Sequence, residues 1–252
     1  MPFERASYEG QSIFITGAAQ GIGAATARLI AERGGRVFAF DIDAGGLKEL
    51  QKTLALPDDQ IIQIDVGSQE SVKESIDRAY ICAGRVDALV NTVGIVGPNN
   101  TKVENVDWVD FERTLRINLF GAIWLTQAVL PYMKEAKYGR IAHVTSIAGK
   151  EGNPGMAPYN TSKSGMIGFI KGVAKEVAPD GITVNCLAPA VIRTAMNVNT
   201  SEETLKYMIS RIPMGRLGES EEVAEMLAFM ASKACSFTTG FTFDASGGRA
   251  TY

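Results

Sequence analysis

The stretch Gln11-Ser12-Ile13-Phe14-Ile15-Thr16-Gly17-Ala18-Ala19-Gln20-Gly21-Ile22-Gly23 decides the fold. Its first part, Gln11 to Thr16, is apolar and β-branched and reads as a strand. The Ala-rich run Gly21 to Arg33 reads as a helix, with glycines clustered in the turn between them. The same alternation repeats down the chain. Strands are expected at Arg36–Asp41, Ile61–Asp65, Val86–Asn91, Arg140–Ser146, Ile182–Leu187 and Gly240–Asp244. Helices are expected at Leu47–Ala55, Gln69–Ala83, Val106–Leu119, Ala122–Lys137, Tyr159–Val177, Glu202–Arg211 and Glu219–Ser232. Strand, helix, strand at this spacing is the signature of a parallel sheet covered by helices on both faces, and the strands are apolar throughout, as such a sheet requires. The expectation is an α/β chain: a three-layer, Rossmann-type, doubly wound parallel sheet in one domain over residues 1–252. The less regular segment Val191–Gly218 leaves the carboxyl end of a strand, where open α/β sheets bind ligands. It is read as a candidate substrate lid.

Composition bounds the function. The chain has 252 residues, 46% hydrophobic and 21% charged, with a formal net charge of −3. A chain of this length can bury about 72% of its extended surface, so it needs no disulfide or metal staple. The mild negative charge argues against a nucleic-acid partner. Cys82, Cys186 and Cys235 are far apart and read as reduced thiols. With His143 the only histidine, no zinc-type cluster can be assembled, and no metal is expected. The longest uncharged stretch, Ile117 to Met133, is interrupted by Asn118, Thr126, Gln127 and Pro131, so no membrane span is expected. The first ten residues hold Glu4 and Glu9 and no apolar run, unlike a signal peptide. A cytoplasmic protein is expected.

The glycine-rich turn has the spacing G-x-x-x-G-x-G. Glycine lets the backbone approach a pyrophosphate, and the following helix start offers free N–H groups and positive potential. Asp41 ends the second strand, where a carboxylate can accept hydrogen bonds from the adenosine ribose hydroxyls. A 2′-phosphate there would be repelled and Gln20 offers it no charge, so NAD is favoured over NADP. Asp65 and Val66, after the third strand, fall beside the expected adenine position.

Tyr159 and Lys163 are four residues apart at the start of a predicted helix, on one face, and Pro158 suits a helix start. A phenol near pKa ~10 is a poor base at neutral pH. A nearby ammonium and a nicotinamide cation would both favour the phenolate and bring it toward useful acid–base work. Ser146 lies thirteen residues before Tyr159, and its hydroxyl could hold the substrate oxygen near the phenol. A Ser146–His143 hydrolase pair fails, because an offset of three along a strand points the two side chains to opposite faces. His143 is read as a packing residue. Trp108 and Trp124 are assigned to the core or to subunit contacts.

On these motifs the chain resembles the short, single-domain branch of the short-chain dehydrogenase/reductases, over about residues 10 to 248. Thr16 to Gly23, with Gly17, Gly21, Ile22 and Gly23, matches that family's cofactor loop. The resemblance implies a tetrad of Asn118, Ser146, Tyr159 and Lys163. Tyr159 would be the acid/base, Lys163 would bind the nicotinamide ribose and tune Tyr159, Ser146 would orient the substrate, and Asn118 would hold a relay water. It further implies cofactor contacts from Asp65, Asn91, Gly94, Pro189 and Thr194. Two departures stand out: Asn91-Thr92-Val93-Gly94 replaces N-N-A-G, and Pro189-Ala190 replaces P-G. The family also implies a homotetramer built on Ala122–Lys137, Tyr159–Val177, Glu219–Ser232 and Gly240–Asp244.

For the substrate, Pro189-Ala190 with Arg193-Thr194 and the ending Ser246-Gly247-Gly248-Arg249-Ala250-Thr251-Tyr252 resemble bacterial dehydrogenases of 2-keto-3-deoxy sugar acids. That implies oxidation of a secondary alcohol on an L-fuconate- or L-rhamnonate-type acid, with Lys150 or Arg249 to take its carboxylate. The alternatives are a dehydrogenase of another alcohol (a sugar, hydroxysteroid or 3-hydroxyacyl compound), a 3-oxoacyl-carrier-protein reductase, and a non-catalytic dinucleotide-binding regulator. Asp41 argues against the carrier-protein reductase and the intact tetrad against the regulator. Arg193 is assigned to solvent.

Overall fold

The computed structural model describes residues 7–194 and 202–252. Strand β1 (Ser12–Thr16) leads into α1 (Gly21–Glu32), followed by β2 (Arg36–Asp41), α2 (Ala44–Leu54), β3 (Ile61–Gln63), α3 (Gln69–Ala83) and β4 (Ala88–Asn91). Then come α4 (Trp108–Leu115), a π-helical turn (Arg116–Phe120), α5 (Gly121–Ala136), β5 (Gly139–Val144), α6 (Ile147–Glu151), α7 (Ala157–Val177) and β6 (Ile182–Pro189). The chain closes with β7 (Ile192–Arg193), α8 (Glu202–Ser210), β8 (Gly218–Glu219), α9 (Ser220–Met230) and β9 (Thr242–Ala245).

The seven-stranded sheet runs β3-β2-β1-β4-β5-β6-β9, parallel at every pairing. The order reverses direction between β1 and β4, which opens a crevice at their carboxyl ends. Alternation along the strands builds a core on each face. Ile13, Ile15, Val37, Ala39, Ala88, Val90 and Ala142 pack against α1, α2 and α9 through Ala27, Ile30, Leu47, Leu50, Val223 and Leu227. Phe14, Phe38, Phe40, Leu89 and Ile141 pack against α3, α5 and α7 through Val72, Ile76, Leu125, Val129, Ile170 and Ala174. The tilted rings of Phe14, Phe38 and Phe40 lie 5.1 and 5.4 Å apart, and each buried side chain of this size contributes about 1.5–3 kcal/mol.

The structure corrects several local expectations. The helices expected at Val106–Leu119 and Ala122–Lys137 are one continuous rod, because Leu115 and Gly121 stay in the right-handed helical region across the π turn. The rod begins at Trp108, where the Asp107 carboxylate caps Val109 N–H at 2.7 Å. The third strand stops at Gln63, short of Asp65. The fifth stops at Val144, so Ser146 is not a strand residue but the N-cap of α6, its hydroxyl accepting from Ala148 N–H at 3.1 Å. Trp108 is exposed in the single chain, which leaves the subunit-contact half of its assignment. Of the candidate lid, residues 195–201 lie outside the described residues; β7 and β8 pair into a separate two-stranded ribbon at its base. Among the described residues, no helix is long and apolar enough to cross a membrane.

Candidate active site

The turn after β1 is a cradle that only glycine fits. Gly17 has φ +77°, and a Cβ at Gly23 would sit 1.9 Å from the Gly17 carbonyl oxygen. The Thr92 hydroxyl stitches the turn from below, donating to the Thr16 carbonyl at 2.8 Å. Gln20 is the N-cap of α1, and its side chain makes no cap bond. Its extended backbone leaves the first turn of α1 for a ligand rather than for a capping side chain. Thr194 lies against Gly21, at 3.4 Å from where a Cβ would project.

Asp41 ends β2 beside this turn. One carboxylate oxygen accepts from Ala19 N–H at 3.0 Å and the other from Asp43 N–H at 3.0 Å. The carboxylate is thereby fixed, with lone pairs left over for hydroxyl donors. Asp65 is exposed and accepts from Gly67 N–H at 2.8 Å, and Val66 is buried beneath it. This cradle with a carboxylate at its ribose end fits a dinucleotide lacking a 2′-phosphate.

The catalytic candidates converge at the carboxyl ends of β4 and β5. Tyr159 and Lys163 occupy the first turns of α7, with Pro158 at the helix start. The Lys163 ammonium lies 5.7 Å from the centre of the Tyr159 ring and donates to the Val144 carbonyl at 2.9 Å. Burial pulls Lys163 down to about 8. Burial pushes the Tyr159 phenol up, and a hydrogen bond with Ser146 pulls it back. In the chain alone the phenol is therefore raised. A bound nicotinamide cation would favour the phenolate.

Gly94 keeps the space beside Lys163 open, since a Cβ there would lie 3.1 Å from the ammonium. Asn118 sits in the π turn, fully buried. Its amide clamps Ile95, accepting from the N–H at 2.8 Å and donating to the carbonyl at 2.8 Å, and it donates to Ser162 at 3.1 Å. Pro189 ends β6 near this cluster, and Ala190 N–H is tied to the Ala245 carbonyl at 3.2 Å.

Lys150 and Arg249 are not free cations. Lys150 pairs with Asp244 at 3.0 Å with its side chain only 6% exposed, so it is neither a solvated loop lysine nor an open anchor. Arg249 pairs with Glu151 at 3.0 Å and donates to Asn153 at 2.9 Å. The tail is docked rather than frayed. The expectation that either cation stands ready for a substrate carboxylate is corrected, because each already faces a carboxylate of its own chain. Arg193 is exposed, as assigned, and pairs with Glu219 at 3.1 Å.

His143 does more than pack. Asn91 Nδ2 donates to His143 Nδ1 (3.2 Å), and His143 Nε2 lies 2.9 Å from the Thr126 hydroxyl, which itself donates to the Ala122 carbonyl at 2.8 Å. This direction of donors makes the ring neutral with its proton on Nε2. Burial holds it down at about 3. The unfolded chain takes up that proton near pH 6.5 and the folded chain does not. Stability is thus full above about 6.5 and falls by up to about 1.4 kcal/mol per pH unit as pH drops toward 3. Urea midpoints at pH 7 and 5 check this: His143→Gln should lose less between them than the parent, and equal losses would contradict the assignment.

Sequence reading missed Thr92, Ile95 and Ser162, whose roles depend on contacts far apart in the chain. Thr92, standing where the family's N-N-A-G has its second Asn, was the one local signal. Among the described residues, no cluster of three or more His, Cys, Asp or Glu could hold a metal.

A doubly wound sheet with a glycine cradle at its switch point, and with Ser, Tyr and Lys at the adjoining strand ends, defines a dinucleotide-dependent oxidoreductase. The family model described as Enoyl-(Acyl carrier protein) reductase matches residues 17–250. The chain is 39% identical over 245 residues to 2-dehydro-3-deoxy-L-rhamnonate dehydrogenase (NAD(+)) of Sphingomonas sp., covering 97% of each chain. It is also 39% identical over 243 residues to 3-oxoacyl-[acyl-carrier-protein] reductase of Thermotoga maritima, covering 95% of this chain and 98% of that one. The crystal structure of gox2181 superposes with a TM-score of 0.93 at 32% identity, over 99% of both chains. The chain belongs to the short-chain dehydrogenase/reductase family.

Proposed function

We propose that this chain is an NAD-dependent dehydrogenase oxidising a secondary alcohol of a 2-keto-3-deoxy sugar acid, of L-rhamnonate or L-fuconate type, to the ketone. One observation carries this reading: full-length likeness to the Sphingomonas dehydrogenase coincides with an ordered carboxylate, Asp41, at the ribose end of the cradle. The likeness to the carrier-protein reductase of Thermotoga maritima favours a second reading, reduction of a 3-oxoacyl thioester. Asp41 weighs against it, since that reduction usually draws on NADPH, whose 2′-phosphate the carboxylate would repel.

A bound nicotinamide supplies the hydride acceptor. Ser146 and Tyr159 hold the substrate hydroxyl, Ser146 with its oxygen fixed as a helix cap. The carbinol carbon gives up hydride while its hydroxyl proton goes to the Tyr159 phenolate. Lys163 would hold the nicotinamide ribose, favour the phenolate, and pass the proton on toward a water near Asn118. The protein acts in the cytoplasm as a homotetramer; Phe229, Phe237 and Phe241, exposed on and around α9 and β9, support burial of that face by another copy. Mass analysis of the 2-keto-3-deoxy acids of L-rhamnonate and L-fuconate type, each incubated with NAD⁺, tests the reading: a product lighter by two hydrogens from either supports it, and both acids unchanged overturns it.

Asp41 carries the cofactor preference. Asp41→Ala combined with Ile42→Arg, at a neighbouring exposed position, is expected to shift the NAD/NADP ratio of kcat/KM by about tenfold to a hundredfold, the worth of a charged hydrogen bond. Because Asp41 also anchors Ala19 N–H, both cofactors should bind more weakly, so the ratio is the readout. An unchanged ratio would contradict the assignment.

A further inference from the structure

We propose that Arg249 is a positioning residue for the alcohol: it straps down the loop that joins Ser146 to Tyr159 and so fixes the distance between those two groups. The proposal rests on the dehydrogenase reading above. The loop, residues 152–156, links α6, which Ser146 caps, to α7, which carries Tyr159. It has no regular structure and includes Gly152 and Gly155 at φ +72° and +74°. From inside it is held by Asn160, which exchanges two hydrogen bonds with the Asn153 backbone at 3.1 and 2.8 Å, and by Thr101 N–H on the Gly155 carbonyl at 3.1 Å.

From outside it is held by the C-terminal tail. Arg249 Nε donates to Glu151 at 3.0 Å and Nη2 donates to Asn153 Oδ1 at 2.9 Å. The guanidinium therefore bridges the last residue of α6 and the loop itself. Its side chain is 9% exposed and that of Glu151 22%, so water screens this pair far less than the surface pairs elsewhere on the chain.

The tail is anchored in turn. Ser246 donates from N–H and hydroxyl to Asp244, and Ala250 N–H donates to the Ser246 hydroxyl at 3.0 Å. Met214 N–H donates to the Gly247 carbonyl at 3.1 Å, and the Tyr252 hydroxyl donates to the Lys150 carbonyl. Lys150 closes the circuit on Asp244 at 3.0 Å. Two cations and two carboxylates thus cancel, so the tail contributes position rather than charge. A shift of about 1 Å in such a support can cost about a hundredfold in rate.

The test compares Arg249→Gln, Glu151→Gln, the double variant and Arg249→Lys, using whichever alcohol the parent oxidises. Either single neutral variant is expected to lower kcat/KM for the alcohol by about tenfold to a hundredfold, with NAD⁺ affinity, read by protein fluorescence, within about twofold of the parent. The double variant should be no worse than a single one, and Arg249→Lys should recover part of the loss. Glu151→Gln carries the test if Arg249→Gln fails to fold. Amide exchange over 147–156 gives a readout free of turnover, and is expected to quicken in both neutral variants. Parent-like kcat/KM, an equal loss of NAD⁺ affinity, additive losses or unchanged exchange would each overturn the proposal. A parent that oxidises no alcohol overturns the functional reading, and exchange then decides the strap alone.

Discussion

Tyr159→Phe should abolish turnover, by about a thousandfold or more, while NAD⁺ binding stays within about twofold of the parent. The change removes one oxygen and leaves the ring packed, so no new space opens around Lys163 or Ser146. What is lost is the group that moves the proton, and a positioned acid–base group supplies about 10²–10⁴ in rate. The upper half of that range applies because the described neighbours offer no replacement base: the Lys163 ammonium is a donor only, already donating to the Val144 carbonyl, and His143 is neutral and bonded on both sides of its ring. Paired initial-rate and fluorescence titrations read the two quantities separately. A variant retaining a tenth of parental turnover would move the proton-transfer role elsewhere.

Gly23→Ala is the second large effect. The added methyl would meet the Gly17 carbonyl oxygen at 1.9 Å and the Thr92 hydroxyl at 2.7 Å. The first of these is backbone and cannot rotate away, so the turn must open. Overpacking of this kind costs about 1–3 kcal/mol of stability. The cost to binding is larger, because the displaced turn is the surface on which the pyrophosphate rests. Dinucleotide affinity is expected to fall at least about a hundredfold. Gly168→Ala on α7, where a Cβ meets nothing within 4 Å, is the matched control and should bind like the parent. Equal affinities in the two variants would show that the turn does not cradle the cofactor.

Both predictions start from features that local sequence reveals. A glycine cluster between a strand and a helix is a local pattern, and so is a Tyr–Lys pair one helical turn apart. Each can be read without knowing what lies across the molecule. Asp41 was legible for the same reason, being the polar residue that ends an apolar strand.

What escaped reading was set by contacts distant in sequence. The short α6 has five residues, too few for helical periodicity, and exists because Ser146 caps it. The π turn at Asn118 has no compositional mark; it is fixed by the bonds from Asn118 to Ile95 and Ser162. Lys150 and Arg249 looked available because their partners Asp244 and Glu151 lie about a hundred residues away. A charge read without its partner is over-assigned to ligands.

The central claim is that this site oxidises a sugar-acid alcohol with NAD⁺. It is tested most directly by initial rates of nicotinamide reduction with NAD⁺ and NADP⁺ on 2-keto-3-deoxy sugar acids, free sugars, hydroxysteroids and 3-hydroxyacyl esters, with Tyr159→Phe as the blank. The account predicts turnover with NAD⁺ on the sugar acids, absent from the blank. Turnover confined to 3-hydroxyacyl esters with NADP⁺ would contradict it.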